Sequence, residues 1–372
     1  MASLQGVSMN RKDLHIKLNE ALMAFLGSIP EVCEPYGNGH INDTYLVSAD
    51  KKYILQRVND NVFVRPDQMM ENILGVTEHI RNKAIENRED AARATLVVLK
   101  TLDGKPYFKD SQGLWWRVYE FTNGTLTREF IESPEDFCNC AEAFGRFQEQ
   151  LADYPADKLY ETIKNFHNTP WRFENLCLAI KKDVMGRAKD AREEIKFSMD
   201  RKDFSCLLEN AHKEGRLPLR VTHNDTKLNN ILFDEVTGRP VCVIDLDTVM
   251  PGYSVNDFGD SIRFGANTAS EDETDISKIS LNLELFEAYA RGFLKGCGGR
   301  LTDTEVELLP IGAMMMTFEC GIRFLTDYLE GDVYFKTHRP KHNLDRCRNQ
   351  FALLADMERK LLQMQRIIEN LK

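Results

Sequence analysis

Phe121 separates two stretches of this 372-residue sequence that follow different periodicities. Before it, short runs rich in Tyr, Ile, Val and Leu (Val32–Tyr36, Thr44–Val47, Tyr53–Val58, 94–99 and 114–121) alternate with turn residues at Gly37-Asn38-Gly39, Ala49-Asp50 and Asp103-Gly104. Runs of that kind between turns predict hairpins. Two helical patterns, 11–27 and about 66–87, accompany them. After Phe121 apolar residues recur at helical spacing over 134–152, 171–197, 199–214, 280–296, 302–329 and 343–371, and one island, 218–265, breaks the pattern. The expectation is an α+β chain with a small β-rich N-terminal lobe (1–121) and a large, mostly helical C-terminal lobe (122–372). A cleft between unlike lobes is a common ligand site.

Charge and cysteine usage narrow the function classes. Lys and Arg total 48 against 58 Asp and Glu, a net charge of −10, which argues against nucleic acid as the main partner. No apolar run approaches the roughly 20 residues that cross a bilayer, so no membrane partner is expected. The opening MASLQGVSMNRKDLHIKL has no apolar stretch leading to a small-residue cleavage site, and the expected location is the cytoplasm. Nine scattered cysteines with no C-x-x-C read as reduced core thiols rather than a disulfide framework or structural zinc. Residues 353–371 carry a long apolar stripe that fits packing on the large lobe better than a coiled-coil dimer; monomer and homodimer both stay open.

The island carries the chemistry. In RVTHNDTKLNNILF (220–233) an apolar strand ends in a polar cluster and a second strand follows, and Asp245 stands directly behind the run Val241–Ile244. Two carboxylates at strand ends, with an asparagine five residues after the first, suit a hard Mg²⁺ ion and a base. Phosphoryl transfer needs both, the ion to neutralise a nucleotide and the carboxylate to orient the attacking hydroxyl. Against the kinase loop H-R-D-x-x-x-x-N, His223, Asp225 and Asn230 fall in register and only the Arg is changed, to Asn224. Lys227, two residues after the aspartate, is placed to reach a transferred phosphoryl group. Asp257-Phe258-Gly259 spells a kinase metal motif, yet it follows the turn Met250-Pro251-Gly252 and no strand delivers it. Asp257 is therefore expected to accept backbone N–H groups and brace the catalytic loop. Asp247 would share a face with Asp245 if the strand continued.

The HNDTKLNN loop, the following Ile-Asp and the lobe order resemble the aminoglycoside-phosphotransferase/choline-kinase superfamily of small-molecule kinases. The segments 34–42, 116–121, 220–232, 244–252, 257–266 and 319–335 are similar, in order, to the members of that superfamily that act on N-acetylhexosamines. The resemblance implies a two-lobed protein-kinase-like fold and ATP-dependent phosphorylation of the anomeric hydroxyl of N-acetylglucosamine and N-acetylgalactosamine. It implies Asp225 as catalytic base, Asn230 and Asp245 as Mg²⁺ ligands, and His40, Arg323 and Tyr334 as sugar contacts, beside Lys227 read from its place in the loop. On residue type alone Arg323 reads as an exposed helix charge and Tyr334 as a core ring. Gly37 and Gly39 form a short Gly loop over the phosphates or the sugar, and Glu120-Phe121 is the hinge whose backbone would meet the adenine edge.

Two departures and two rivals complete the reading. Where kinases carry a phosphate-binding Lys on the third strand, this chain aligns Gln56; Arg57 should alternate to the opposite face. Glu71 and Glu78 are the candidates for the helix glutamate that normally pairs with that Lys. The loop alone fixes reaction class, so a homoserine, choline, aminoglycoside or other sugar kinase is the alternative; choline would require an aromatic cage and aminoglycosides an acidic rim. A non-enzymatic, pseudokinase-like binding module is the second rival, and the intact Asp225, Asn230 and Asp245 argue against it.

Overall fold

A computed structural model describes residues 11–37, 41–128 and 130–372, with the side chains of 11–17 left aside. The chain divides into two units, the first ending at Gly124 and the second running from Thr125 to Lys372.

The first unit contains α1 (Arg11–Leu26), β1 (Val32–Pro35), β2 (Asp43–Ser48), β3 (Lys52–Val58), α2 (Pro66–Glu86), β4 (Val98–Leu99), β5 (Phe108–Lys109) and β6 (Trp115–Glu120). The strands make one antiparallel sheet in the order β1-β2-β3-β6-β4, with β5 also on β6. Strand alternation sorts its faces. Tyr45, Val47, Tyr53, Leu55, Trp116 and Val118 pack with Leu18, Ala21, Leu22 and Phe25 of α1. On the opposite face of β3 and β6, Gln56 and Arg117 lie toward α2, where Arg117 reaches Met70 Sδ at 4.0 Å.

The second unit holds β7 (Thr125–Leu126), α3 (Pro134–Gln150), α4 (Thr169–Lys182), α5 (Arg192–Met199), α6 (Lys202–Ser205), α7 (Leu207–Lys213), β8 (Arg220–Thr222), β9 (Ile231–Asp234), β10 (Pro240–Val243), β11 (Met250–Gly252), α8 (Ser254–Gly265), α9 (Leu283–Cys297), α10 (Asp303–Glu307), α11 (Leu309–Glu330) and α12 (His342–Leu371). Two small antiparallel ladders, β10-β9-β7 and β11-β8, sit in this helical surround. The expected helix 171–197 is two helices. Asn168 caps α4, and Asp183, in the left-handed region at φ 35°, ends it before the turn at Gly186. The expected helix 302–329 also splits, because Pro310 lacks the N–H that would continue α10 into α11.

Helix α11 forms the spine of the second unit. Eighteen of its residues are buried, so any ionisable group on its inner faces requires a partner. It crosses α8 at glycines: a Cβ on Gly259 would overlap the Gly312 carbonyl, and one on Gly312 the Val255 carbonyl. The Gly of the DFG triplet thus serves helix packing, and its Asp stands in the first turn of α8. Helix α12 buries Leu344, Phe351, Leu353, Leu354, Met357, Met364 and Ile368 in its own unit, against α11 and α9. All nine cysteines are free thiols. Among the described residues no helix is long and apolar enough to cross a membrane.

Candidate active site

Strand β8 ends at Thr222 and hands the chain to a loop whose backbone is fixed at nearly every polar group. His223 is fully buried and meets Phe144 and Phe147 edge-on. Its Nε2 donates to the Ile244 carbonyl at 2.9 Å and its Nδ1 accepts the Asp225 N–H at 3.3 Å, a pairing that requires the Nε2–H tautomer. Asn224 takes the left-handed conformation at φ 64°, which asparagine tolerates better than other side-chain-bearing residues. Its amide donates to the Thr222 and Thr248 carbonyls at 3.2 and 2.8 Å.

Asp257 performs the bracing role its setting predicts. Its carboxylate accepts the Asn224 N–H at 2.7 Å, the His223 N–H at 2.8 Å and the Gln148 amide at 2.8 Å. Burial pushes this carboxyl up, and His223 and the two N–H donors oppose it. Thr226 ties the far side of the loop to α8. Its hydroxyl donates to the Asp257 carbonyl at 2.7 Å, its N–H reaches Asp260 at 3.2 Å, and its carbonyl accepts Ser261 Oγ at 2.7 Å.

The loop therefore presents Asp225 on a rigid turn. Lys227 Nζ lies 2.7 Å from Asp225 Oδ1, and the Asn230 amide donates to the Asp225 carbonyl at 2.9 Å and to its Oδ2 at 3.3 Å. Burial works against the Lys227 charge, but Asp225 and Asp260 outweigh it and hold the ammonium above its ordinary value. Asn230 spends its amide nitrogen on Asp225, which leaves its carbonyl oxygen to accept from a cation. Its backbone carbonyl takes the Ile244 N–H at 2.8 Å, so Asp245 is the next residue along from a group bonded to Asn230. An amide oxygen and a carboxylate are hard donors of the kind Mg²⁺ accepts. Among the described residues no three His, Cys, Asp or Glu side chains gather as a metal cluster.

Asp247 corrects the alternation argument. Strand β10 stops at Val243; Asp245 is left-handed at φ 58° and opens a 3₁₀ turn, Leu246–Thr248. Asp245 is exposed while Asp247 is buried at 2%. A period of two does not survive a turn, so the two carboxylates do not share a face.

Arg323 and Tyr334 meet elsewhere in the same unit. Tyr334 is 64% exposed, no core ring. The Arg323 guanidinium stands over Phe166, Tyr334 and Phe335 at 5.6, 5.9 and 5.6 Å from their centroids, so it is no simple surface charge. Arg323, Tyr334 and Phe335, together with Arg172, Asp327 and Glu330, line a cavity of about 280 Å³. Asp327 shapes it: its carboxylate accepts the N–H groups of Val333 and Tyr334 at 2.8 Å and of Phe335 at 3.0 Å. Arg172 donates to the Phe166 carbonyl, and burial and the neighbouring Arg323 hold its pKa below the usual guanidinium value.

In the first unit, Gly37 sits in an exposed turn at φ 73°; Gly39 and His40 lie outside the described residues. The N–H groups of Glu120 and Phe121 are engaged by the Val97 and Lys52 carbonyls, and the Glu120 side chain pairs with Lys51 at 2.6 Å. Gln56 is locked between Thr44 at 3.0 Å and the buried Arg117 at 2.9 Å. Arg117 is thus a buried cation beside Gln56 on that face of the sheet, and sequence reasoning missed it. Arg57 alternates away to Asp43 as expected. Glu78 pairs with Lys100 at 3.5 Å and Glu71 is exposed, so neither partners Gln56. Sequence reasoning also missed His167 and Glu319; the latter lies inside the segment 319–335 without a role.

An Asp held by a Lys and an Asn on a braced loop, in a helical unit that follows a five-strand-wide antiparallel sheet, defines a kinase-like phosphotransferase of small molecules. The chain belongs to the phosphotransferase enzyme family, whose sequence pattern matches residues 32–295. Solved structures share the fold at low identity. A microcompartment-associated aminopropanol kinase is 16% identical with TM-score 0.61, covering 95% of this chain and 99% of its own. An aminoglycoside phosphotransferase from Alicyclobacillus acidocaldarius is 14% identical with TM-score 0.62, covering 94% and 96%. A Plasmodium vivax ethanolamine kinase is 15% identical with TM-score 0.54, covering 93% and 91%.

Proposed function

We propose that this protein transfers the γ-phosphoryl group of ATP to the anomeric hydroxyl of an N-acetylhexosamine, N-acetylglucosamine or N-acetylgalactosamine, giving the sugar 1-phosphate. The sugar's C1 oxygen bonds to the γ-phosphorus, the bond from that phosphorus to the β,γ-bridging oxygen breaks, and ADP leaves with the electron pair. Asp225 orients the hydroxyl and receives its proton; the loose transition state rewards positioning above early deprotonation. Lys227 is the residue that compensates charge on the moving phosphoryl group. Asn230 and Asp245 would hold Mg²⁺, which when bound neutralises the triphosphate. Gly37, Gly39, Glu120 and Phe121 are assigned to the nucleotide from their places in the Gly loop and at the hinge of the sequence, and His40 to the sugar from the resemblance.

The observation that carries the reading is the Asp225 carboxylate gripped at 2.7 Å by Lys227 and at 3.3 Å by Asn230. For the acceptor, support comes from the cavity around Arg323. Its volume of about 280 Å³ falls at the low end of small-molecule pockets, a size for one ring rather than a multi-ring antibiotic. Choline would need a cation cage, and here three aromatic rings already surround the chain's own Arg323. Arg172 and Arg323 supply N–H donors that suit sugar and acetamido oxygens, with Asp327 and Glu330 balancing their charge in the same cavity.

The test is an ATP-consumption screen over hexoses, N-acetylhexosamines, choline, ethanolamine and aminoglycosides, with the phosphate located on the product. Asp225→Asn should lower kcat by about 10²–10⁴. Arg323→Ala should raise KM for sugar by roughly ten- to a hundredfold, the loss of a charged hydrogen bond, with KM for ATP held. Turnover of an amine acceptor with N-acetylhexosamines inert would overturn the substrate assignment, and a wild-type rate in Asp225→Asn would overturn the base.

A further inference from the structure

We propose that His167 is a positioning residue: its ring, donating from both nitrogens, clamps the Asn224 carbonyl to the Glu319 carboxylate and so fixes the peptide that aims Asp225. The inference rests on the reading of Asp225 as the base. His167 Nδ1 lies 2.8 Å from Glu319 Oε1 and Nε2 lies 3.1 Å from the Asn224 carbonyl oxygen. Neither partner has a proton to give, so only the doubly protonated ring satisfies both.

Burial makes the arrangement demanding. Glu319 is 0% exposed on α11, and a lone carboxylate there would cost several kcal/mol. Thr169 donates to its second oxygen at 2.7 Å. Burial alone lowers the His167 pKa, yet Glu319 and, from α8, Asp260 overcome it and raise the value above 6.5. Glu319 is held below its ordinary value by His167 and Arg323 against its own desolvation. The chain places His167 by helix geometry: Asn168 caps α4 through the Trp171 N–H, which fixes the residue just before it.

Asn224 is the residue that the clamp controls. Its N–H goes to Asp257 and its amide to Thr222 and Thr248. The carbonyl is the group that leads into the Asp225 peptide, and His167 holds it. The same short segment meets Arg323 through Phe166. Phe166 packs on the His167 ring at 4.5 Å, and Arg323, four residues beyond Glu319 on α11, stands over Phe166. Arg323 and the loop before Asp225 therefore touch neighbouring residues of one short segment, Phe166 and His167.

Two neutral variants separate clamping from bulk. The Gln amide reaches the position of Nε2, and the Asn amide only that of Nδ1. With ATP, Mg²⁺ and N-acetylglucosamine, His167→Asn should lose about 100-fold in kcat with KM for ATP within about twofold, while His167→Gln should stay within about tenfold of wild type. Glu319→Gln should move the alkaline limb of the kcat profile to lower pH, since the ring then loses its proton more easily. Equal kcat values for His167→Asn and His167→Gln, or an alkaline limb unmoved in Glu319→Gln, overturn the clamp. Should the His167 variants melt below assay temperature, the pH profile of Glu319→Gln decides. Asp225→Asn is measured alongside: loss of activity there with wild-type His167 variants overturns the clamp alone, and wild-type activity there overturns the base assignment beneath it.

Discussion

Replacing Asp257 by asparagine distinguishes a brace from a metal ligand at the DFG triplet. The wild-type carboxylate has one oxygen on the Asn224 N–H and the other shared by the His223 N–H and the Gln148 amide. An Asn must turn NH₂ toward one of these donors. The better orientation keeps its oxygen on the two donors and sets NH₂ against the Asn224 N–H. One charge-assisted bond worth about 1.5–3 kcal/mol is lost, and a buried N–H left without an acceptor adds about 1–3 kcal/mol. Removing the charge offsets part of this, because burial already pushes the Asp257 carboxyl up. A net loss of about 2–4 kcal/mol is expected, which in a unit of this size lowers Tm by roughly 5–15 °C. Urea unfolding followed by tryptophan fluorescence reads the stability, and a Mg²⁺ titration of activity reads the metal. An unchanged unfolding midpoint with a tenfold higher Mg²⁺ requirement would refute the brace and restore Asp257 as a metal ligand.

Three further outcomes follow from the same geometry. Gly259→Ala should destabilise by about 1–3 kcal/mol or more, since its methyl meets the Gly312 backbone of α11 and not a movable side chain; an unchanged urea midpoint would mean that the helices part freely. The His167–Glu319 pair should give stability a plateau in pH. The raised His167 pKa contributes fully below 6.5 and is lost as pH rises through its folded value, while the lowered Glu319 pKa contributes fully above 4.5 and is lost as pH falls through its own. Glu319→Gln should flatten both flanks of a ΔG-against-pH curve, and flanks identical to wild type would remove the pair from the account.

What the sequence made legible is what lies close along the chain. His223, Asp225 and Asn230 sit within eight residues, and a polar loop between two strands leaves them few ways to face apart. The role of Asp257 was readable for a related reason: without a strand to carry it to the metal, an acidic residue beside a turn finds backbone N–H groups. The helix boundaries within 171–197 and 302–329 were not readable from periodicity, because a left-handed cap at Asp183 and a missing N–H at Pro310 interrupt patterns that the apolar spacing carries straight through.

The contacts that escaped are long-range pairings of ordinary residues. Glu319 and His167 are 152 positions apart, and Arg117 and Gln56 are 61 apart. Neither pair has a local signature, since burial of a charge is a property of the packed partner and not of its flanking sequence. Left-handed Asn224 and Asp245 escaped as well, and they explain the failure at Asp247. Alternation holds only while φ stays negative, and the loop turns at the residue before the proposed base and again at a proposed metal ligand. Each turn costs about 1 kcal/mol or more for a residue with a side chain. Around Asn224 that cost is met by Asp257, Thr222, Thr248 and His167 together. The Asp225 carboxylate is thus held by many buried contacts around its loop, the kind of fixed placement that the proposed base would need in a reaction that depends on positioning.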